Sequence, residues 1–99
     1  LYVSGQIPLD PTTMELIGEN IDAQITQVLN NLEAIIVSAG ANLDSTLKFT
    51  VYLTDLSNFQ RVNAIMATRL GEPYPARAAV EVSMLPRGAQ IEIDAIVAL

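Results

Sequence analysis

Arg77 stands in an unexpected place. It lies in "PARAAVEV" (75–82), beside a proline and running straight into alanines and valines suited to a strand. The chain has only five Lys and Arg among its 99 residues. A guanidinium offers a planar fork that binds a carboxylate bidentately. A second apolar stretch, "QIEIDAI" (90–96), carries Glu92 and Asp94 on the alternate positions. A carboxylate near an arginine-held anion can order a water for attack on it. The plainer reading is a cross-strand ion pair on a solvated sheet face, worth about 0–1 kcal/mol when exposed. Both readings stay open on these residues alone. Histidine and cysteine are absent. Their absence excludes His-based triads, thiolate catalysis, disulfides and Cys- or His-bound zinc. Catalysis must then use carboxylates, hydroxyls, arginine, lysine, backbone groups or bound water.

Those residues need elements to hold them. "LYVSGQIPLDP" reads as a strand entering a proline-containing loop, and "TMELIG" as a short extended piece ended by Gly18. Ile21, Ile25, Val28, Leu29, Leu32, Ile35, Ile36 and Ala39 recur at helical spacing. Asn20 is placed to cap that helix and Gly40 to end it. "STLKFTVYLTD" alternates as a strand, with Leu47, Phe49, Val51 and Leu53 expected on its inner face. A second helix starts at "SNFQ", where Ser57 and Gln60 match a capping box, and stops at Gly71 ahead of Pro73 and Pro75. "ARAAVEV" and "QIEIDAIVAL" read as two strands joined by "SMLPRGA" into an antiparallel hairpin. In that hairpin Ala78, Val80 and Val82 meet the helices. Arg77, Ala79 and Glu81 share the other face with Gln90, Glu92, Asp94 and Ile96, which brings Arg77 near Glu92 and Asp94. The order strand, helix, strand, helix, strand, strand predicts one α+β domain over 1–99, a sheet covered on one face by two helices.

Composition narrows the function classes. The chain is 51% hydrophobic and 16% charged, with a mean hydropathy of +0.36. That is more apolar than one small core needs, so an oligomer is expected. The net charge is −6, and Lys48, Arg61, Arg69, Arg77 and Arg87 are scattered. Binding to nucleic acid or to an anionic membrane is therefore not expected. No apolar run approaches the roughly 20 residues of a membrane helix, and no secretion signal is evident; a cytoplasmic protein is expected. The chain begins at Leu1, inside a strand, as a fragment or a processed product would.

The motifs resemble one family as an ordered set. "YVSGQIPLD", "VNAIMATRLGEPYPARAAVEV" and "LPRGAQIEIDAI" are similar to the pattern of the RidA/YjgF family: S-G-Q-[IL]-P, then V-N, then P-A-R-x-x-V-[EQ]-V, then L-P and I-E-[IV]-E-A. The resemblance covers essentially all 99 residues. It implies a fold like that of chorismate mutase of the bacterial trimeric type, with a mixed sheet. It implies a homotrimer with a ligand site in each cleft between subunits. The implied activity is hydrolysis of 2-imino acids and their enamine tautomers, such as 2-iminobutanoate and 2-iminopropanoate, to 2-oxo acids and ammonia, without metal or organic cofactor.

Residue by residue, the resemblance makes Arg77 the group that grips the substrate carboxylate and Glu92 the one that orders the attacking water. Ser4, Gly5 and Gln6 match the loop lining the pocket, Asn63 a polar residue at its rim, and Ala79 a small residue leaving room beside Arg77. Two departures stand out. The family's first strand with its "G-P-Y-[ST]-Q" turn has no counterpart ahead of Leu1, and the cysteine that many members carry two residues after the arginine is Ala79. Three other functions compete with imine hydrolysis. One is a carboxylate-binding or regulatory module without turnover, and another is a translation inhibitor with ribonuclease activity. The last is chorismate mutase itself, which would need more cationic groups than Arg77.

Overall fold

The computed structural model describes residues 1–99. Six elements follow in the order β1 (Tyr2–Gln6), α1 (Ile21–Ser38), β2 (Thr46–Leu53), α2 (Phe59–Arg69), β3 (Ala76–Glu81) and β4 (Ile91–Val97), with short 3-10 turns between some of them. The expected α+β architecture is present: one mixed sheet with both helices on one face.

The first helix forms where its spacing predicted. Asn20 caps it by accepting a hydrogen bond from the Ala23 amide at 2.9 Å. Ile25, Val28, Leu29, Leu32 and Ile36 are fully buried, the inner stripe of an amphipathic helix. Gly40 follows with a φ of 89°, the left-handed conformation that glycine adopts without a side-chain clash. The second helix starts differently from the expectation. The Ser57/Gln60 box does not form. Instead Asp55 caps the 3-10 turn ahead of α2, accepting from the Ser57 amide at 3.0 Å and the Ser57 hydroxyl at 2.7 Å. Those two donors hold the Asp55 carboxyl below its ordinary pKa. The "TMELIG" piece contributes a single bridge, Leu9 to Leu16.

The expected hairpin is replaced by another topology. The strand order is β1-β4-β2-β3. β4 inserts between β1 and β2, antiparallel to both. β3 pairs with the other side of β2, parallel to it, and α2 supplies the crossover that a parallel connection requires. Side-chain character explains the sorting. In β4, Ile91, Ile93, Ala95 and Val97 are all buried, which suits a central strand. In β3 no residue is fully buried, which suits an edge.

A further correction concerns β2. A register shift between Thr46 and Lys48 turns Thr46 into the core and leaves Leu47 58% exposed. The inner face is therefore Thr46, Phe49, Val51 and Leu53, not a strict alternation from Leu47. Bulges of this kind are invisible to a period-two reading.

One polar side chain ties the core to the strand that carries Glu92. Gln24 on α1 is 1% exposed. Its side chain accepts from the Gln90 amide at 2.9 Å and donates to the Gly18 carbonyl. Gln24→Leu would leave both backbone groups without a partner. It is expected to destabilise the fold by about 2 kcal/mol. The check is a lower denaturation midpoint at an unchanged slope and fixed protein concentration.

Candidate functional site

The topology decides which chemical groups meet. In β3, Arg77 pairs with Phe49 and Ala79 with Val51. Phe49 and Val51 are fully buried beneath the helices, so Arg77, Ala79 and Glu81 lie on the helix side of the sheet. This reverses the expected faces. Ala78 and Val80 pair with Thr50 and Tyr52 on the side the helices leave uncovered. Glu92 and Asp94 alternate with buried Ile91, Ile93 and Ala95 and so project from that uncovered side.

Arg77 and Glu92 therefore do not face each other within one chain. β2 lies between their strands, which separates the backbones by about 10 Å. They also sit on opposite faces and at different levels, since Arg77 is level with Phe49 and Glu92 with Tyr52. The ion pairs of the chain are Arg61–Asp22 and Arg69–Glu33; neither Arg77 nor Glu92 takes part in one. The expected Arg77–Glu92 or Arg77–Asp94 pairing across a hairpin is absent for this reason.

Around Arg77 the chain forms a cavity of about 490 Å³. α2 lines it with Asn63, Met66 and Ala67, and the segment after α2 adds Leu70, Tyr74 and Pro75. Phe49 forms part of the wall from β2. Arg77 and Asn63 are the two residues here that can hydrogen-bond a ligand through a charged or amide side chain. The guanidinium carbon stands 4.7 Å from the centroid of the Phe59 ring, a cation–π contact that gives the side chain a fixed seat at the start of α2. Arg77 is exposed and Asn63 half-buried, so both remain open to a small anion. Ala79 packs against the core and is not among the lining residues.

The other predicted residues cluster on the opposite side. Gly5 lies against Glu92. A β-carbon built on Gly5 would come 2.5 Å from Glu92 Oε2 and 2.7 Å from its Cδ, so glycine is what allows β1 and the carboxylate to approach. β1 carries a register irregularity between Val3 and Gln6, which sets Ser4 and Gly5 off the regular ladder. Gln6 Nε2 donates to the Ser4 carbonyl at 3.1 Å, bracing this turn. Gly5 and Gln6 also border a wider groove of about 690 Å³ between the loop after β1 and α1.

Tyr52 joins this second group, level with Glu92 on the neighbouring strand. Its hydroxyl donates to Asp94 Oδ2 at 3.1 Å beside Glu92. Its pKa is raised, chiefly by that hydrogen bond, then by burial and by the charges of Asp94 and Glu92. The alternation of β2 and β4 was the available signal, since it puts Tyr52, Glu92 and Asp94 on one face. Tyr74 falls in the other group, in the cavity wall.

The sequence profile described as Endoribonuclease L-PSP matches residues 1–99. The chain belongs to this family, the RidA/YjgF family. A RutC family protein of Pyrococcus horikoshii is 48% identical over 96 residues, covering 97% of this chain and 76% of that protein. The 2-iminobutanoate/2-iminopropanoate deaminase of Mus musculus is 41% identical over 96 residues, covering 97% and 71%. Among solved structures, RidA from Psychrobacter sp. PAMC 21119 superposes with a TM-score of 0.95 at 49% identity, covering 99% of this chain and 79% of that one. E. coli TdcF with bound serine superposes at 0.91 and 34% identity, covering 99% and 79%. The four-stranded sheet with its two helices is the chorismate-mutase-like fold of RidA/YjgF proteins.

Proposed function

We propose that this RidA/YjgF protein hydrolyses 2-imino acids such as 2-iminobutanoate and 2-iminopropanoate to 2-oxo acids and ammonia, at sites shared between the subunits of a homotrimer. The observation that carries this reading is the separation of Arg77 from Glu92. Each has a prepared setting, Arg77 with Asn63 in an apolar cavity and Glu92 against Gly5, yet the two lie on opposite faces of one sheet. A neighbouring copy that lays its β3 edge and α2 against the uncovered face brings its own Arg77 to this Glu92. That face is apolar enough for burial: Tyr2 is 84% and Val80 43% exposed there, alongside Ile96. The apolar excess of the sequence has the same explanation.

In the assembled site Arg77 holds the substrate carboxylate through its fork. Glu92 of the neighbouring protomer accepts a hydrogen bond from a water and aims it at the iminium carbon. The water oxygen bonds to that carbon as the C=N electron pair moves to nitrogen. The water's proton passes to Glu92 and on to the nitrogen. The C–N bond then breaks with its electron pair going to nitrogen, Glu92 takes the remaining hydroxyl proton as the carbonyl forms, and ammonia leaves carrying that proton as ammonium. A protonated imine is already electrophilic, so positioning supplies much of the acceleration and no strong base is needed.

The test is release of 2-oxobutanoate from 2-iminobutanoate, generated in situ by a threonine dehydratase, with semicarbazide trapping the remaining imine. Acceleration by the chain is expected. Its absence would favour a second reading, binding of small carboxylates without turnover, which E. coli TdcF with bound serine makes specific. A ribonuclease role finds little support in a chain of net charge −6 without a basic cluster.

Gly5→Ala probes the placement of Glu92. The added methyl meets the end of a flexible side chain, so the carboxylate swings aside and the fold survives. A displacement of about 1 Å at a reacting group can lower a rate roughly a hundredfold. The expected result is a fall in kcat of that order, a smaller change in KM, and an unaltered circular dichroism spectrum.

A further inference from the structure

We infer that Phe59 is a positioning residue for the substrate carboxylate, acting through Arg77. This rests on the role given to Arg77 in the imine-hydrolysis reading and adds the residue that orients it. The guanidinium carbon lies over the Phe59 ring, 4.7 Å from its centroid. The other three arginines have donors engaged by oxygen atoms: Arg61 by Asp22, Arg69 by Glu33 and Arg87 by the Met14 carbonyl. Arg77 forms no ion pair, and the ring is what holds it. The difference is chemical. A carboxylate seat would occupy the fork that the substrate needs. An aromatic face attracts the cation and leaves the fork free to take a carboxylate. A long side chain held in this way loses less freedom when a ligand binds.

The ring is itself fixed. Phe59 is half-buried, packs against the core and is the first residue of α2. The turn ahead of it is held twice. Asp55 accepts from the Ser57 amide and hydroxyl, and Glu81 Oε1 accepts from the Leu56 amide at 2.9 Å. Glu81 lies on β3 on the same face as Arg77, since the two pair with Leu53 and Phe49 of β2. One strand therefore carries the cation and a brace for the turn that presents the ring. The contact is made within one chain and stands before a neighbouring protomer closes the site.

The experiment weakens the ring face without reshaping it. Position 59 is replaced in turn by 4-fluoro-, 3,5-difluoro- and 3,4,5-trifluorophenylalanine, and separately by Phe59→Leu. Fluorine withdraws electron density from the ring face and hardly changes its size, so the fold is kept where Phe59→Leu risks a packing defect. KM for 2-iminobutanoate and Kd for 2-oxobutanoate, the latter by calorimetry, are both expected to rise with each fluorine. Phe59→Leu should reach about fivefold, the scale of one cation–π contact. The kcat is expected to stay level, because the carboxylate is held alike in ground and transition states. KM and Kd that stay flat across the series overturn the role of the ring and leave imine hydrolysis standing. A fall in kcat at constant KM overturns it too, since the ring would then act on the chemical step. A parent that binds 2-oxobutanoate without hydrolysing the imine, with Kd still rising, overturns the hydrolysis reading and supports the role of Phe59. A parent that does neither overturns both.

Discussion

Arg77→Ala is expected to lower kcat/KM for 2-iminobutanoate about a thousandfold while the protein stays folded. The catalytic part follows from the hydrogen bonds. A bidentate guanidinium–carboxylate contact comprises two bonds to charged groups, each worth about 1.5–3 kcal/mol. Nothing nearby replaces them. The other arginines are occupied elsewhere: Arg61 by Asp22, Arg69 by Glu33 and Arg87 by the Met14 carbonyl. The stability part follows from what Arg77 does not do. It forms no ion pair in the chain and is exposed at the sheet edge. Its contact with Phe59 is worth about 0.5–1 kcal/mol at an exposed site. Arg77→Lys keeps the charge and loses the fork, so its activity should fall between the two. Steady-state kinetics beside a thermal melt measures both halves. Parental activity in Arg77→Ala would remove the arginine from the reaction.

The elements were legible because their signals are local. Asn20 caps α1, Gly40 closes it, and its apolar stripe is continuous. The strands announced themselves by β-branched residues, and the ordered motifs pointed to the family that the whole chain matches. Strand order was not legible, because it depends on contacts remote in sequence. "SMLPRGA" has the composition of a hairpin loop, yet the apolar face of β4 is better buried between β1 and β2 than at an edge. That exchange carried Arg77 to the opposite face from Glu92. The shift at Thr46 likewise undid a one-residue alternation, and Asp55 took the capping role assigned to Ser57. For the candidate site, residue identities were readable while their geometry was not. Arg77 and Asn63 do share a cavity, and Gly5 and Glu92 do touch. The two pairs do not meet in one chain, and no local pattern reports that.

The separation of the pairs leads to the second large effect. Arg77→Ala and Glu92→Gln proteins are each expected to be nearly inactive alone, the first for want of carboxylate binding and the second for want of an ordered water. Mixed as co-assembled trimers, they are expected to recover about a quarter of parental activity. In a ring where each site takes Arg77 from one protomer and Glu92 from the next, every mixed trimer contains one junction with both native residues. There the Gln-bearing protomer supplies Arg77 and the Ala-bearing protomer supplies Glu92. Random equal mixing makes about three quarters of the trimers mixed, with about one site in three intact. Co-expression with two affinity tags isolates the mixed trimers, in which the expected recovery rises to about a third, and the imine assay reads it. A site built inside one chain cannot be rescued this way, because each protomer would still lack one of its own two groups. Activity no greater than the sum of the separate variants would therefore reject the shared site. Recovery would place Arg77 and Glu92 on different protomers, as their positions on opposite faces of the sheet require if they are to act on one molecule.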